Sequence, residues 1–415
     1  MTTQINNDEY SQIRAIAFYL PQYHPVPENN EWWSKGFTEW TNVTKAKPLF
    51  PGHYQPHMPA DLGFYDLRLP EVREQQAALA KEYGIHGFCY YHYWFNGRRI
   101  LERPFNDVLA SGSPDFPFCL CWANENWTRV WDGGSKDVLL EQKYTVNDDL
   151  NHIRSLIPAF RDERYIRIDG KPLFLVYRTE LLPDPARTAE IWREEALRQG
   201  IGDIYLARVE QFDNNIDPGS IGFDAAIEFA PSGNYLGPVQ FRGAVATLLT
   251  KLGLLAQGYQ DNQVIHYANA AKTFMNMAEP DFKRFHCVSP AWDNSARRKK
   301  NARIIIESTP ELYEDWLKQT VARTESLHKG EERLIFINAW NEWAEGCHLE
   351  PDLKWGLAYL EATLRALDAP VVPQQQKSVS DSAAKKTAKV QQIYWSINKF
   401  LRQSKLLLKQ LSYRW

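Results

Sequence analysis

Eight short runs rich in β-branched and aromatic residues recur along the chain, and this repetition constrains the fold more than any other feature. The runs are Ile13–Leu20, His86–Tyr91, Phe116–Trp122, Pro172–Tyr177, Ile204–Val209, Ala225–Phe229, Cys287–Pro290 and Leu334–Ala339. Stretches with helical periodicity separate most of them, namely Glu71–Tyr83, Asn147–Arg161, Arg187–Gln199 and Pro310–His328. Strands that alternate with helices form parallel sheets, so the pattern predicts a (β/α)8 TIM barrel. The alternative is an open doubly wound sheet, which is disfavoured because no glycine-rich phosphate-binding loop follows any strand.

Two of the connections are unusually long, and long connections in compact domains are often binding loops. Pro21 to Leu69 follows the first strand, and Pro231 to Arg284 follows the sixth. The first of these is crowded with aromatic rings, among them His24, Trp32, Trp33, Trp40, His53, Tyr54 and His57. We therefore expect both connections to border a binding site.

Composition narrows the class of ligand. The 15 Trp, 20 Tyr and 20 Phe residues make up 13% of the chain, and aromatic faces stack on the apolar faces of sugars. The 48 Lys and Arg residues nearly balance 51 Asp and Glu residues, which argues against nucleic acid as a partner. Five cysteines are a sparse, odd set, so a disulfide framework is not expected. Cys119 and Cys121 could hold a metal with His86 or His92, but small thiols packed in a core are favoured, and no metal or cofactor is predicted.

The composition changes after Asp368 and predicts three segments: a catalytic barrel over 1–368, a flexible linker over 369–390 and a basic amphipathic helix over 391–415. From Ser382 onward there are eight Lys or Arg residues and no Asp or Glu. Such a helix suits the surface of an anionic membrane, with packing on the barrel or on another subunit as the alternative. No basic segment followed by an apolar run opens the chain, so we expect a cytoplasmic protein that is peripheral at the inner membrane if the tail binds lipid.

The strongest chemical signal follows the last strand, in the segment Trp340-Asn341-Glu342-Trp343-Ala344-Glu345-Gly346. Active sites of (β/α)8 barrels lie where strands end. Glu342 and Glu345 could meet one substrate, and two carboxylates held in different protonation states are what cleavage of a glycosidic bond requires. The alternative is an ordinary Glu-x-x-Glu pattern on a solvated helix.

Other strand ends supply candidate substrate-binding residues. These are Tyr19, Gln22 and His24 after strand one, Tyr91, His92 and Trp94 after strand two, Asn124, Glu125 and Trp127 after strand three, Arg178 and Glu210 after strands four and five, Trp292 and Asp293 after strand seven, and Trp340, Asn341 and Trp343 around the glutamates. Alternate residues of a strand face opposite sides, so we expect about half of the rings to be packing residues.

Several of these motifs together resemble one known family. The matching stretches are Phe18-Tyr19-Leu20-Pro21-Gln22-Tyr23-His24-Pro25, the run from Trp32 to Val43, His53-Tyr54-Gln55-Pro56-His57, the run from Trp122 to Trp127, and Asn341-Glu342-Trp343-Ala344-Glu345-Gly346. They resemble the WbsX-type proteins of bacterial surface-polysaccharide biosynthesis, whose domain is similar to glycoside hydrolase family 99. The resemblance spans the predicted barrel and leaves out the C-terminal tail.

That resemblance implies a (β/α)8 barrel of endo-α-mannosidase type with no required metal. It implies that Glu342 is the base that takes a proton from the 2-hydroxyl of the substrate, and that Glu345 is the general acid and then the base. The implied intermediate is a 1,2-anhydro sugar. The chain carries Ala344, Cys347 and His348 where the mannosidases typically have histidine, threonine and glutamine, so its substrate contacts differ.

The sequence thus favours a retaining glycosidase or transglycosylase that acts on α-mannoside- or α-rhamnoside-like linkages of an oligosaccharide or polysaccharide. Two other functions stay open: a nucleotide-sugar glycosyltransferase and a non-catalytic glycan-binding barrel.

Overall fold

The computed structural model describes residues 12–128, 138–211, 216–232 and 236–368. The predicted linker over 369–390 and the predicted basic helix over 391–415 lie outside the described residues. Within the described ranges, none of the helices combines the length and the apolarity that crossing a bilayer would require.

Eight parallel strands close into a barrel, as the sequence pattern predicts. The strands are β1 Arg14–Tyr19, β2 Ile85–Phe95, β3 Phe118–Trp122, β4 Lys171–Val176, β5 Tyr205–Glu210, β6 Ala225–Glu228, β7 Arg284–Val288 and β8 Leu334–Ile337. Each strand pairs with the next in the chain, and β1 closes the barrel against β8, with Ala17 opposite Ile337. Every strand therefore ends at one face, where the following loops converge.

Helices surround the barrel and supply most crossovers. They are α1 Pro27–Trp32, α2 Glu39–Lys45, α3 Pro70–Glu82, α4 Arg103–Ser111, α5 Val146–Arg161, α6 Pro185–Arg198, α7 Ala244–Lys251, α8 Gly258–Asp261, α9 Tyr267–Met275, α10 Pro310–Leu327 and α11 Ala358–Leu367. Strands β5 and β6 are joined by a 3₁₀ helix, Pro218–Ile221, instead of an α-helix. Side chains cap three of these helices: Thr145, Asp184 and Thr309 accept backbone N–H groups at the starts of α5, α6 and α10.

The barrel interior is filled by large apolar side chains. Phe18 of β1 packs its ring against Tyr91, Phe229 and Phe336, with ring centroids 5.3–5.7 Å apart. All five cysteines are buried free thiols. Among the described residues, the group of side chains with metal-ligand spacing contains no cysteine.

Short extra strands build the face where the barrel strands end. A three-stranded sheet joins Gln263–His266, Arg303–Ile306 and Trp292–Asp293, and it brings the long connection after β6 beside the connection after β7. Arg98–Ile100 also pairs with the end of β2 and Trp127–Thr128 pairs with Val138–Leu140, whereas Arg167–Ile168 pairs with the start of β4. The long connection after β1 contains α1, α2 and the start of α3.

Candidate active site

A tight hairpin follows β8 and carries both predicted catalytic glutamates. Asn341–Glu342 pairs antiparallel with Cys347–His348, and a 3₁₀ turn over Trp343–Glu345 connects them. Gly346 closes the turn with φ of +56°, and a Cβ atom there would lie 3.0 Å from Cβ of Asp293. Glycine is required at this position because other residues disfavour that φ and would collide with Asp293.

The hairpin is fixed to the barrel by side-chain hydrogen bonds. Asn341 donates to the carbonyl of Leu20 at 3.0 Å and accepts from its N–H at 2.7 Å. Trp343 donates its indole N–H to Glu350 at 2.6 Å, and the Tyr23 hydroxyl lies between Asn341 and Trp343 and bonds to the backbone of both. The two glutamates are therefore held by a rigid support that is tied to the end of β1.

One guanidinium joins three carboxylates at this hairpin. Arg297 lies 2.8 Å from Glu342, 2.8 Å from Glu345 and 2.7 Å from Glu39, the first residue of α2. Glu39 is completely buried, and the side chain of Arg297 is 8% exposed. A single guanidinium thus faces three carboxylates, so the four groups together have a net negative charge when every carboxylate is ionised.

This arrangement raises the pKa of both candidate catalytic groups. Burial raises the pKa of Glu342 to about 8, Arg297 opposes the shift, and the charges of Glu345 and Glu39 add to it. Burial also raises the pKa of Glu345, again opposed by Arg297 and reinforced by Glu39. Because the pKa values of both carboxylates are raised and the two groups interact, one can hold a proton while the other is ionised. This is the condition for an acid and a base in one site.

A cavity of about 550 Å³ opens in front of the two glutamates. Both long connections border it, as the sequence predicts, through Gln22 and Trp33 of the first and through Ser232 and Gln263 of the second. The predicted site residues that line this cleft are Gln22, Tyr91, Glu125, Trp127, Trp292, Glu342 and Glu345. Rings beside carboxylates in a concave site suit a sugar, because they cover its apolar faces while polar groups bind its hydroxyls.

The other predicted substrate-binding residues do not line the cleft. For several of them the reason is that alternate side chains of a strand point to opposite sides. Tyr91 faces the cleft, whereas His92 and Trp94 on the same strand face α5, where they bond to His152 at 3.0 Å and Asp148 at 2.9 Å. Tyr19 points to α3 and donates to Gln76 at 2.7 Å. These corrections follow from the two-residue period of a β-strand.

The remaining predicted residues off the cleft are bonded to or packed against other parts of the barrel. Asn124 holds the backbone of Arg178, and Arg178 pairs with Glu125, which does line the cleft. Glu210 is buried in an ion pair with Arg284 at 2.7 Å. The others off the cleft are buried: His24, Trp340, Asn341 and Trp343 in the packing around β1 and β8, and Asp293 in hydrogen bonds from His53 and Gln55.

Sequence reasoning missed two residues of the site, Arg297 and Glu39. Arg297 belongs to the basic run Arg297-Arg298-Lys299-Lys300, which reads as a solvated loop, and Glu39 lies within the matched stretch from Trp32 to Val43. Only the position of Glu39 inside a family motif could have drawn attention to it. The contacts of Arg297 with Glu39 and Glu342 join segments that are far apart in the chain.

A family model described as glycosyltransferase WbsX matches residues 15–363. The chain belongs to the WbsX family. This WbsX-family chain is 46% identical over 352 residues to the uncharacterized protein WxcX of Xanthomonas campestris pv. campestris, in each of two strains. The alignment covers 85% of this chain and 49% of the relative, so the chain spans about half the length of the curated relatives it matches.

Solved structures share the barrel of this WbsX-family chain. A glycoside hydrolase-like protein aligns with a TM-score of 0.52 and 14% identity, over 89% of this chain and 98% of the other. The GH99 endo-α-mannosidase from Bacteroides thetaiotaomicron aligns with a TM-score of 0.52 and 15% identity, over 86% and 96%. At these identities the likeness concerns the fold alone, and it confirms the GH99-like barrel that the motifs indicate.

Proposed function

We propose that this chain is a retaining glycosidase or transglycosylase that acts on α-mannoside- or α-rhamnoside-like linkages of a bacterial surface polysaccharide. The observation that carries the proposal is the pairing of Glu342 and Glu345 across Arg297 at the wall of an aromatic-lined cleft. A binding protein has no need for two adjacent carboxylates with raised pKa values, so the pair also argues against a non-catalytic glycan-binding barrel.

The proposed reaction uses the substrate's own 2-hydroxyl as nucleophile. Glu342 takes the hydroxyl proton while O2 bonds to C1, the bond from C1 to the leaving oxygen breaks, and that oxygen takes a proton from Glu345. Glu345 then takes a proton from water or an acceptor hydroxyl whose oxygen attacks C1, and O2 leaves C1 and recovers its proton from Glu342. Two inversions give overall retention. Attack by a group already attached to the sugar avoids the entropic cost of a second reactant.

This chemistry restricts the substrate by stereochemistry. O2 can attack C1 from behind only when it is trans to the leaving group, as in α-mannosides and α-rhamnosides. Substrate assistance is a recognised exception to the usual spacing of paired carboxylates. Because the pKa of Glu342 lies at about 8, its ionised form increases as the pH rises toward that value, and we expect kcat/KM to increase over the same range.

A second candidate function is a nucleotide-sugar glycosyltransferase. The description of the matching family favours it, and so does the cationic side of the cleft, where Arg298 and Arg303 join Arg297 in the lining. Guanidinium groups bind phosphate well, so these residues would suit a nucleotide leaving group.

One experiment separates the two. The full chain is incubated with the producer's own surface polysaccharide, with and without nucleotide sugars, and the products are identified by NMR and mass spectrometry. Release of retained-configuration product without a nucleotide supports the glycosidase or transglycosylase, and strict dependence on a nucleotide sugar supports the transferase.

Variants then test the proposed roles of Glu342 and Glu345 in the glycosidase or transglycosylase reaction. Glu342→Gln and Glu345→Gln should each reduce turnover by at least about 10³-fold while glycan binding persists, and a 2-deoxy substrate should be inert. Glu125→Gln is the matched control, because Glu125 lines the same cleft as the partner of Arg178. An equal loss in Glu125→Gln, or a sugar trapped covalently on a carboxylate, would contradict substrate assistance and indicate an ordinary double displacement.

A further inference from the structure

A second, smaller cavity borders the hairpin that carries Glu342 and Glu345, next to Gly346 and His348. Its volume is about 90 Å³, and its lining includes His57, His348 and Asp352, all of them buried. One ligand atom from each of these three residues lies within 4.8 Å of the other two. We call them the His57–His348–Asp352 cluster. Its residue types are those that bind divalent transition metals.

Hydrogen bonds around the cluster orient its ligand atoms. His348 has its Nδ1 2.9 Å from the carbonyl oxygen of Glu350, and since a carbonyl only accepts, this nitrogen carries the proton. Its Nε2 therefore presents a lone pair, and it faces Nδ1 of His57 at 3.0 Å. A backbone carbonyl that fixes the tautomer and direction of an imidazole is the usual support of a metal-binding histidine.

Hydrogen bonds also orient the carboxylate of Asp352. Oδ1 of Asp352 accepts the backbone N–H groups of Lys354 and Trp355 at 3.0 and 2.6 Å, and Oδ2 accepts the hydroxyl of Tyr54 at 3.1 Å. Oδ2 accepts this single hydrogen bond and therefore keeps a further lone pair for a cation. The side chain is thus positioned by its surroundings and does not have to be ordered when an ion binds.

We propose that Nδ1 of His57, Nε2 of His348 and a carboxylate oxygen of Asp352 bind one divalent transition metal ion, with zinc as the best fit. With metal–nitrogen bonds of about 2.0–2.1 Å, nitrogens 3.0 Å apart subtend about 95° at the ion. Zinc tolerates that angle because it has no geometric preference from its d electrons. Without the ion, His57 donates its Nδ1 proton to His348, so binding requires the Nε2-protonated tautomer of His57. Water from the cavity would complete the coordination.

The place of the cluster in the fold gives the ion a structural role. His57 comes from the connection after β1, whereas His348 pairs with Asn341 in the hairpin and stacks on Trp343 with ring centroids 3.7 Å apart. An ion at this point would therefore join the first long connection to the hairpin that carries Glu342. The sequence predicts no metal here because His57 precedes His348 by almost 300 positions. Binding of an ion at this cluster does not depend on the proposed function.

The test uses the full chain without an affinity tag, after chelation and dialysis. Zinc sulfate is titrated by calorimetry, thermal unfolding is followed with and without the ion, and Co²⁺ is added to observe its visible absorption. We expect one equivalent to bind, the melting temperature to rise, and Co²⁺ to give the spectrum of a site with nitrogen and oxygen ligands.

His57→Gln and Asp352→Asn should each weaken zinc binding at least 100-fold. The second variant preserves a hydrogen-bonding group for Tyr54, and His86→Gln, at the start of β2, is the control that should bind as the wild type does. Absence of stoichiometric binding to the wild type would overturn the proposal, as would unchanged affinity in both variants. If a variant does not fold, the stoichiometry and the Co²⁺ spectrum of the wild type decide the question.

Discussion

The guanidinium of Arg297 lies 2.8 Å from the carboxylate of Glu342, and both side chains are 8% exposed. The same guanidinium also binds Glu345 and Glu39, so it is the common counter-charge of these three carboxylates. The acid–base properties of the site therefore depend on a residue that has no place in the glutamate motif.

Replacement of Arg297 by Gln should strongly destabilise the folded protein. Removing one partner from a buried charge pair leaves the other uncompensated, so we expect a loss of about 3–5 kcal/mol in the free energy of unfolding, measured with urea. The pKa of both glutamates should rise further because Arg297 lowers them. Arg298→Gln, an exposed neighbour that also lines the cleft, is the control. Equal stability of the two variants would mean that Arg297 does not compensate the carboxylates.

Replacement of Glu39 by Gln should move the pH profile of activity. The charge of Glu39 raises the pKa of Glu342 and of Glu345, so its removal should shift both limbs of the kcat/KM profile to lower pH. The amide oxygen can still accept from Arg297, which keeps the geometry. Glu28→Gln serves as the control, because Glu28 pairs with Arg98 away from the cleft lining. An unchanged profile in Glu39→Gln would contradict electrostatic coupling between Glu39 and the pair.

The raised pKa of Glu342 also predicts how stability depends on pH. Between about pH 4.5 and 8 the folded protein holds a proton on Glu342 that the unfolded chain has released, so stability falls as the pH rises through this window. Glu342→Gln lacks this contribution. We expect the wild type to lose on the order of a few kcal/mol relative to this variant between pH 5 and 8, measured by urea unfolding at each pH. Parallel pH dependence of the two proteins would refute the shift, and Glu82→Gln on the exposed face of α3 controls for a change of net charge.

Trp127 is the best test of sugar stacking in the cleft. It lines the cavity while its ring packs against Trp32 and Tyr93. Trp127→Ala should weaken binding of the polysaccharide fragment by about 5–30-fold, which corresponds to about 1–2 kcal/mol. Trp355→Ala removes a similarly half-buried ring that lines the smaller cavity, and it should leave glycan affinity unchanged. Isothermal calorimetry on both variants decides whether Trp127 binds sugar or only packs.

The basic segment over 391–415 is tested by truncation. Its positive charges and apolar stripe predict binding to anionic vesicles, which should be lost in a chain of residues 1–390 and weakened by salt. Vesicle co-sedimentation measures the binding, with neutral vesicles as the control, and circular dichroism checks that the barrel remains folded. Unchanged co-sedimentation of the truncated chain would favour packing of the segment on protein instead.

The sequence by itself determined the barrel and the position of Glu342 and Glu345. Local sequence patterns predict both of them. The barrel follows from eight runs of strand-forming residues between helical stretches, and the two glutamates lie in one contiguous motif after the last run. Strand periodicity, helix capping and the start of a loop depend on neighbouring residues, so they can be recognised without the fold.

Tertiary structure decided which residues meet. It turned Tyr91 into the cleft and His92 away from it, buried Glu39 and Arg297 beside the two glutamates, and brought His57 to His348. These contacts arise between segments far apart in the chain. Burial and the sum of nearby charges set a pKa or an ion site, and both quantities exist only once the chain has folded.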